Sequence, residues 1–317
     1  MAAIETENLT KDFLVGFWRP KPYRAVNGLT LTVEAGEVFG FLGPNGAGKS
    51  TTLKLLMQLI YPSSGSARIL GKPVGDVEVR RRIGFLAENP YYYDYLSAEE
   101  VLSYFARLFG LPGDQVSRRV ASSLDDVGIG AERRMKLRSF SKGMLQRVGL
   151  AQALINDPEV IFLDEPMSGL DPLGRRHVRD VILRLRAKGT TVFFSSHILS
   201  DAEALCSRVG IMAQGRLVAS GRVSEMVAFD LKGWELVVRG VDEAMRAQLE
   251  PRVQAIHSLT HDRYTIQIAA DRKPEELMSE LTARGAMVES LNPLRDTLED
   301  YFVKQVAAAN RRDTTRI

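Results

Sequence analysis

The sequence predicts an α/β protein: a mostly parallel sheet wrapped by helices over the first 220 residues or so, followed by a smaller α+β domain. Three observations carry this. Apolar strand-like runs alternate with helical patterns up to that point. Two of the runs, Val160-Ile161-Phe162-Leu163 and Thr191-Val192-Phe193-Phe194, are too apolar for a strand with one wet face and read as central strands covered on both sides. After Gly221 the pattern changes to short strands and helices in the order β-α-β-β-α-β.

Residues 37–42 form an internal strand and 51–57 the helix that follows it. Between about 90 and 155 strand signal nearly vanishes, while 98–111, 115–127 and 144–155 are patterned as helices, a helical insertion between sheet strands. Ser141 is a good N-cap for the third of these, and Leu145, Val148, Ala151 or Gln152, and Ile155 give it one inward face. Beyond Gly221, 234–238 is a strand and 242–249 a helix. Residues 253–260 and 264–268 pair around His261-Asp262-Arg263, and 274–284 is a helix opened by Pro274 and acids. A last strand, 286–290, completes a ferredoxin-like order. Residues 295–306 are a closing amphipathic helix and 307–317 a polar, frayed tail. No repeat of about 20–50 residues is present, which excludes solenoids and propellers.

With 317 residues, 45% hydrophobic and 26% charged, the chain has the composition of a globular protein of two domains. A net charge of +3 gives no electrostatic argument for nucleic acid. The single cysteine, Cys206, excludes an intrachain disulfide and fits a reducing compartment. No apolar run approaches the ~18 residues that span a bilayer. The N-terminus, MAAIETENLTKDF, carries acids and lacks an apolar signal core. A cytosolic chain is expected, with any membrane role coming through a partner.

Gly43 to Thr51 read GPNGAGKST, with Gly43, Gly48, Lys49 and Ser50 filling G-x-x-x-x-G-K-[ST] between a strand and a helix. The glycines let successive N–H groups of Asn45, Gly46, Ala47 and Gly48 turn toward phosphate oxygens. Lys49 is expected to reach the β- and γ-phosphates, and the Ser50 hydroxyl to ligate Mg²⁺. The helix start at Thr51 adds its positive dipole end. The strand 160–163 ends in Asp164 and Glu165, which puts two carboxylates at the ligand-binding edge of the sheet. Asp164 suits a Mg²⁺-associated role, and Glu165, one residue on, suits orienting or deprotonating water. His197 ends the other central strand on the same edge, where a neutral imidazole has access to the γ-phosphate or the attacking water. Ser139 to Arg147 opens a helix with small residues, a second anion-binding helix start or an ordinary cap.

In this order, P-loop, serine-glycine helix start, Leu163-Asp164-Glu165-Pro166, Ser168-Gly169-Leu170-Asp171 and histidine, the chain resembles the ATP-binding subunit of ABC transporters over residues 4 to about 228. The resemblance implies a P-loop NTPase sheet with an antiparallel N-terminal β-subdomain and an inserted helical subdomain. Two copies would clamp ATP and Mg²⁺ between them, with an integral membrane permease as further partner and no nucleic acid. It makes Lys49 and Ser50 phosphate and Mg²⁺ ligands, Glu165 the catalytic base and His197 the switch histidine. Ser141 and Gly143 become γ-phosphate contacts given in trans, and Asp171 part of the loop that links the two sites. Two departures stand out. The family's LSGGQ reads Phe140-Ser141-Lys142-Gly143-Met144, which keeps the contacting serine and glycine. Glu88 stands where the family has a glutamine touching Mg²⁺ and water. Both are similar to exporter-type members of the sodium and drug efflux branch.

The resemblance assigns the adenine contact to Phe13, with Phe17, Trp18 and Tyr23 of the longer 14–24 stretch as rivals. Tyr91, Tyr92, Tyr93 and Tyr95 follow Glu88 closely, either an interface-like concentration of tyrosine where the family receives the permease or rings that pack the helical insertion onto the sheet. The alternative class, a soluble ABC-type ATPase acting on ribosomes or DNA, usually carries two ATP-binding units or long coiled coils. This chain has one P-loop and no sustained heptads. The expected division is 1–228 for the ATP-binding domain and 229–306 for an accessory, dimer-stabilising domain, with the 307–317 tail beyond it. The expected place is the inner face of the membrane, through the permease.

Overall fold

The computed structural model describes residues 1–16, 18, 20–226, 231–295 and 297–314. They cluster into two compact units, 1–223 with 304–317, and 224–303. The first unit opens with two long antiparallel strands, β1 (Ala2–Val15) and β2 (Lys21–Glu34). In β2 the period of two is explicit: Leu29, Leu31 and Val33 are buried, while Thr30, Thr32 and Glu34 between them are exposed. With β4 (Ser64–Ile69) and β5 (Lys72–Pro73) they form an antiparallel sheet of order β2-β1-β4-β5.

The central sheet contains β3 (Val38–Leu42), β6 (Ile83–Leu86), β7 (Val160–Asp164), β8 (Thr191–Ser196), β9 (Arg208–Ala213) and β10 (Arg216–Arg222), in the order β10-β9-β3-β8-β7-β6. All neighbours pair in parallel except β10, an antiparallel edge. Every residue of β3, β7 and β8 is buried, as the apolar runs 160–163 and 191–194 predict for the latter two. Phe193 sits at the centre of an aromatic cluster, its ring 5.6 Å from Phe39, 5.2 Å from Phe41 and 5.8 Å from Phe162. Because these strands are parallel, their C-terminal ends share one edge. Leu42 pairs with Ser196 and Asp164 with Ser195, so the residues that follow β3, β7 and β8 emerge side by side.

Helix α1 (Lys49–Leu56) follows β3, and the short α2 (Val77–Arg81) precedes β6. Between β6 and β7 come α3 (Ala98–Leu108), α4 (Gly113–Asp126) and α5 (Lys142–Ala153), with no strand among the described residues. Helix α3 starts at a capping box: the Ser97 hydroxyl accepts from the Glu100 N–H, and Glu100 accepts from the Ser97 N–H. Ser141 caps α5 as its sequence predicts, accepting from the Met144 N–H at 3.3 Å. Helices α6 (Pro172–Ala187), α7 (Leu199–Leu205) and α8 (Val223–Met226) complete this part of the chain.

In the second unit, β11 (Leu231–Arg239), α9 (Glu243–Leu249), β12 (Ala255–Thr260), β13 (Arg263–Ala269), α10 (Pro274–Ala283) and β14 (Met287–Arg295) follow the predicted order. The sheet runs β12-β13-β11-β14, antiparallel at every pairing. Leu236, Val238, Ile266 and Ile268 pack with Met245, Leu249, Leu277 and Leu281 into a separate core. One expectation is corrected. The closing helix α11 spans Leu298–Thr314 rather than 295–306, starting later and running past Val306. Ala307-Ala308-Ala309, with the best intrinsic helix propensity, carries it on.

Candidate active site

A cavity of about 560 Å³ opens at the C-terminal edge of the central sheet. Its walls are residues 44–51 of the β3–α1 loop, Phe13, Tyr23 and Ala25 of the β1–β2 pair, and Glu88, Glu165, Ser168 and His197. The loop shape is forced by two glycines. A Cβ on Gly43 would lie 2.6 Å from the Met212 carbonyl, and one on Gly48, at a φ of 102°, 2.4 Å from the Ala25 carbonyl.

Lys49 and Glu165 are buried here together, with Nζ 3.3 Å from Oε1. The ammonium also donates to the carbonyls of Gly43 (2.7 Å) and Pro44 (3.4 Å), so it has oxygen partners on three sides. A buried lysine is tolerated only when so partnered. The other carboxylate oxygen of Glu165, Oε2, is 2.8 Å from His197 Nδ1. An ionised carboxylate is acceptor-only, so this contact puts the imidazole proton on Nδ1 and leaves Nε2 of a neutral ring as an acceptor. Glu165 bridges Lys49 and His197 from a left-handed backbone, φ 49°. Behind it, the Ser50 hydroxyl donates to Asp164 Oδ1 at 3.1 Å.

The first turn of α1, the β7 end and the β8 end thus bring Lys49, Ser50, Asp164, Glu165 and His197 together, as the sequence predicts, and Glu88 joins them from the segment after β6. Phe13 lies in the wall with Lys11 Nζ 5.1 Å over its ring. Its direct cross-strand partner, Tyr23, is in the wall too. Trp18 is 90% exposed and not part of it, and Phe17 lies outside the described residues. Asp171 is not in the wall: its carboxylate accepts from the Gly174 N–H at 2.8 Å and caps α6, with Pro172 at the first helical position. Ser168, part of the Ser168-Gly169-Leu170-Asp171 run but given no role of its own there, lines the cavity instead. Ser141 and Gly143, at the start of α5, are outside the wall as well.

Comparison with known proteins identifies the family. Residues 26–168 match the ABC transporter family. Over 305 residues the chain is 44% identical to an uncharacterised ABC transporter ATP-binding protein of Synechocystis sp., covering 96% of this chain and 84% of the relative. The chain belongs to the ABC transporter ATP-binding family. It is also 34% identical over 308 residues to the bacitracin transport ATP-binding protein of Enterococcus faecalis, 96% of each chain. A dimeric bacterial ABC transporter cassette superposes with a TM-score of 0.64 at 25% identity, covering 69% of this chain and 98% of that one. The family hydrolyses ATP, and this ABC ATPase has the mixed α/β cassette fold with antiparallel sheets.

A second hollow of the ABC ATPase, about 490 Å³, is walled by Leu86, Tyr91, Tyr92, Phe105, Phe109 and Gln152 among others. Tyr92 donates its hydroxyl to Gln152 Oε1 at 3.0 Å, and burial pushes its phenol above the ordinary range. Tyr91, Tyr93, Tyr95 and Tyr104 around it are exposed, with the rings of Tyr93 and Tyr95 5.6 Å apart. No described helix is long and apolar enough to cross a membrane.

Proposed function

We propose that this ABC ATPase is the motor of a membrane exporter: two copies close on two ATP molecules, and hydrolysis reopens them. The observation that carries the reading is the convergence of Lys49, Glu165 and His197 in one cavity beside a phosphate-type loop. In it, the N–H groups of Asn45, Gly46, Ala47 and Gly48 cradle phosphate, with Thr51 at the helix start. ATP phosphates compete with Glu165 for Lys49, and that exchange frees the carboxylate to orient water. His197, its Nδ1–H held by Glu165, offers Nε2 to a proton of that water. Donation from Nε2 to a phosphate oxygen requires the imidazolium.

No group of three or more His, Cys, Asp or Glu side chains able to hold a metal occurs among the described residues. The oxygen set of Ser50 and Asp164, with Glu88 in the wall, instead fits a Mg²⁺ completed by substrate phosphates. Bound there, Mg²⁺ would neutralise charge developing on the phosphates. Phe13 stacks on adenine, with Tyr23 beside it. Ser141 and Gly143, outside this cavity, serve the site of the partner copy, and 168–171 links the two sites. The dimeric state of the related cassette supports the pairing. The bacitracin transport relative supports export.

The tyrosine hollow is the docking place for the permease, which holds the ATPase at the inner membrane face. Its exposed aromatic rim of Tyr91, Tyr93, Tyr95 and Tyr104 supports this. Replacing both Tyr91 and Tyr104 by Glu should leave ATPase activity of the isolated chain within about twofold and abolish copurification with the co-expressed permease, because docking would desolvate two unpaired carboxylates. Undiminished copurification counts against this docking place.

The chain divides functionally into an ATP-binding domain, 1–228, and an accessory domain, 229–306, which is ferredoxin-like and stabilises the dimer. The β-α-β-β-α-β order and the sheet order β12-β13-β11-β14 support the second assignment. A chain ending at residue 230 should bind ATP normally and dimerise about tenfold more weakly in sedimentation equilibrium, the loss of roughly 1.4 kcal/mol of association energy. Equal dimerisation of the two forms argues against the role.

A further inference from the structure

We propose that Ser195 is a positioning residue for ATP hydrolysis: its hydroxyl ties the Asp164 carboxylate to the Glu165 backbone amide and so fixes where Glu165 aims. The inference rests on the roles given above to Asp164 and Glu165. Ser195 lies near the end of β8, a strand buried on both faces, where valine or isoleucine satisfies packing better than serine does. It is 0% exposed, so its hydroxyl has no access to water and must be bonded within the protein.

Both of its bonding capacities are used on the site. Ser195 Oγ donates to Asp164 Oδ1 at 2.6 Å and accepts from the Glu165 N–H at 2.9 Å. The same Asp164 oxygen accepts from Ser50 at 3.1 Å. An unbroken chain of hydrogen bonds therefore runs from the first turn of α1, through Asp164 and Ser195, to the backbone of Glu165. That backbone needs an anchor. A φ of 49° is unfavourable for a residue with a side chain, and it is this turn that sends the carboxylate between Lys49 and His197. Without the Ser195 hydroxyl the Glu165 N–H is buried and unpaired, and the left-handed turn loses the side-chain tether on its backbone.

The test compares Ser195→Ala, Ser195→Thr and Glu165→Gln in the full chain. Ser195→Ala should lower kcat about 10- to 100-fold while the KM and the dissociation constant for ATP change by less than about threefold, the pattern of a group that acts only in the transition state. Amide hydrogen exchange at Glu165 should accelerate, a readout independent of turnover. Ser195→Thr, which keeps the hydroxyl, should recover most of the lost kcat. If Ser195→Ala does not fold, Ser195→Cys, similar in size but a poor hydrogen-bonder, replaces it. The inference is overturned if kcat stays within about threefold of the parent, if kcat and ATP affinity fall together, or if Thr behaves like Ala. An inactive Glu165→Gln beside a fully active Ser195→Ala removes this inference alone. Unchanged turnover in Glu165→Gln removes the reading of the site itself.

Discussion

Glu165→Gln should reduce ATP turnover by about 10²–10⁴-fold, the usual contribution of a general base, while ATP binding persists and a dimer accumulates in ATP. The amide keeps the size of the carboxylate but cannot take a proton from water. It also inverts the contact with His197: an amide N–H donating to Nδ1 forces the imidazole proton onto Nε2. ATP affinity should hold or rise, because one negative charge beside the γ-phosphate is gone. The nucleotide-free form should suffer instead. Lys49 then stays buried with carbonyl partners and no counter-charge. Removing one partner of a buried ion pair costs about 3–5 kcal/mol, and the retained amide oxygen makes the loss smaller here. Melting with and without ATP should therefore show a larger nucleotide-induced stabilisation than in the parent chain. Turnover, melting and size-exclusion behaviour in Mg-ATP check this; a variant that still turns over at the parental rate sinks the role of Glu165.

How much of this was legible beforehand depended on whether the signal was local. The loop 43–51 declares itself because Gly, Lys and Ser types are tied to fixed spacing. Strands β7 and β8 declare themselves because burial on both faces leaves no room for alternation. The side chains that meet across strands were less legible. Nothing local says that Lys49 pairs with Glu165, 116 residues later in the chain, or that Glu165 turns left-handed to do so. Ser195 had a signal that could have been used: a hydroxyl in a strand buried on both faces has to bond something. Asp171 had one as well, since Asp before Pro is a helix start, and reading it would have predicted a carboxylate occupied in capping. Helix α11 runs past Val306 because the alanines at 307–309 outweigh the polar residues around them.

The second large effect separates the glycines of the loop. Gly48→Ala should abolish measurable ATP binding, a loss of at least about 100-fold in affinity, whereas Gly46→Ala should be markedly milder. Both positions have positive φ, 102° and 79°, so both pay the left-handed cost of roughly 1–2 kcal/mol for a side chain. They differ in what the new methyl meets. At Gly46 a methyl would meet no described atom within 4 Å beyond its chain neighbours, while at Gly48 the Ala25 carbonyl oxygen is 2.4 Å away. Ala25 cannot retreat easily: the next residue, Val26, is in register with Lys11 on β1, and Asn27 donates to the Gly215 carbonyl at 2.8 Å. Gly215 in turn donates to the Ala47 carbonyl at 3.1 Å, so the loop is strapped to the same strand pair the methyl would have to push away. What yields is the loop itself. Gly48 is the N-cap of α1, and its displacement moves the Lys49 and Ser50 positions that follow. Calorimetric titration with a non-hydrolysable ATP analogue, with melting curves to confirm that both variants fold, gives the comparison. If Gly48→Ala binds within about threefold of the parent, the close approach to Ala25 is not what the loop depends on, and the steric account of this glycine fails.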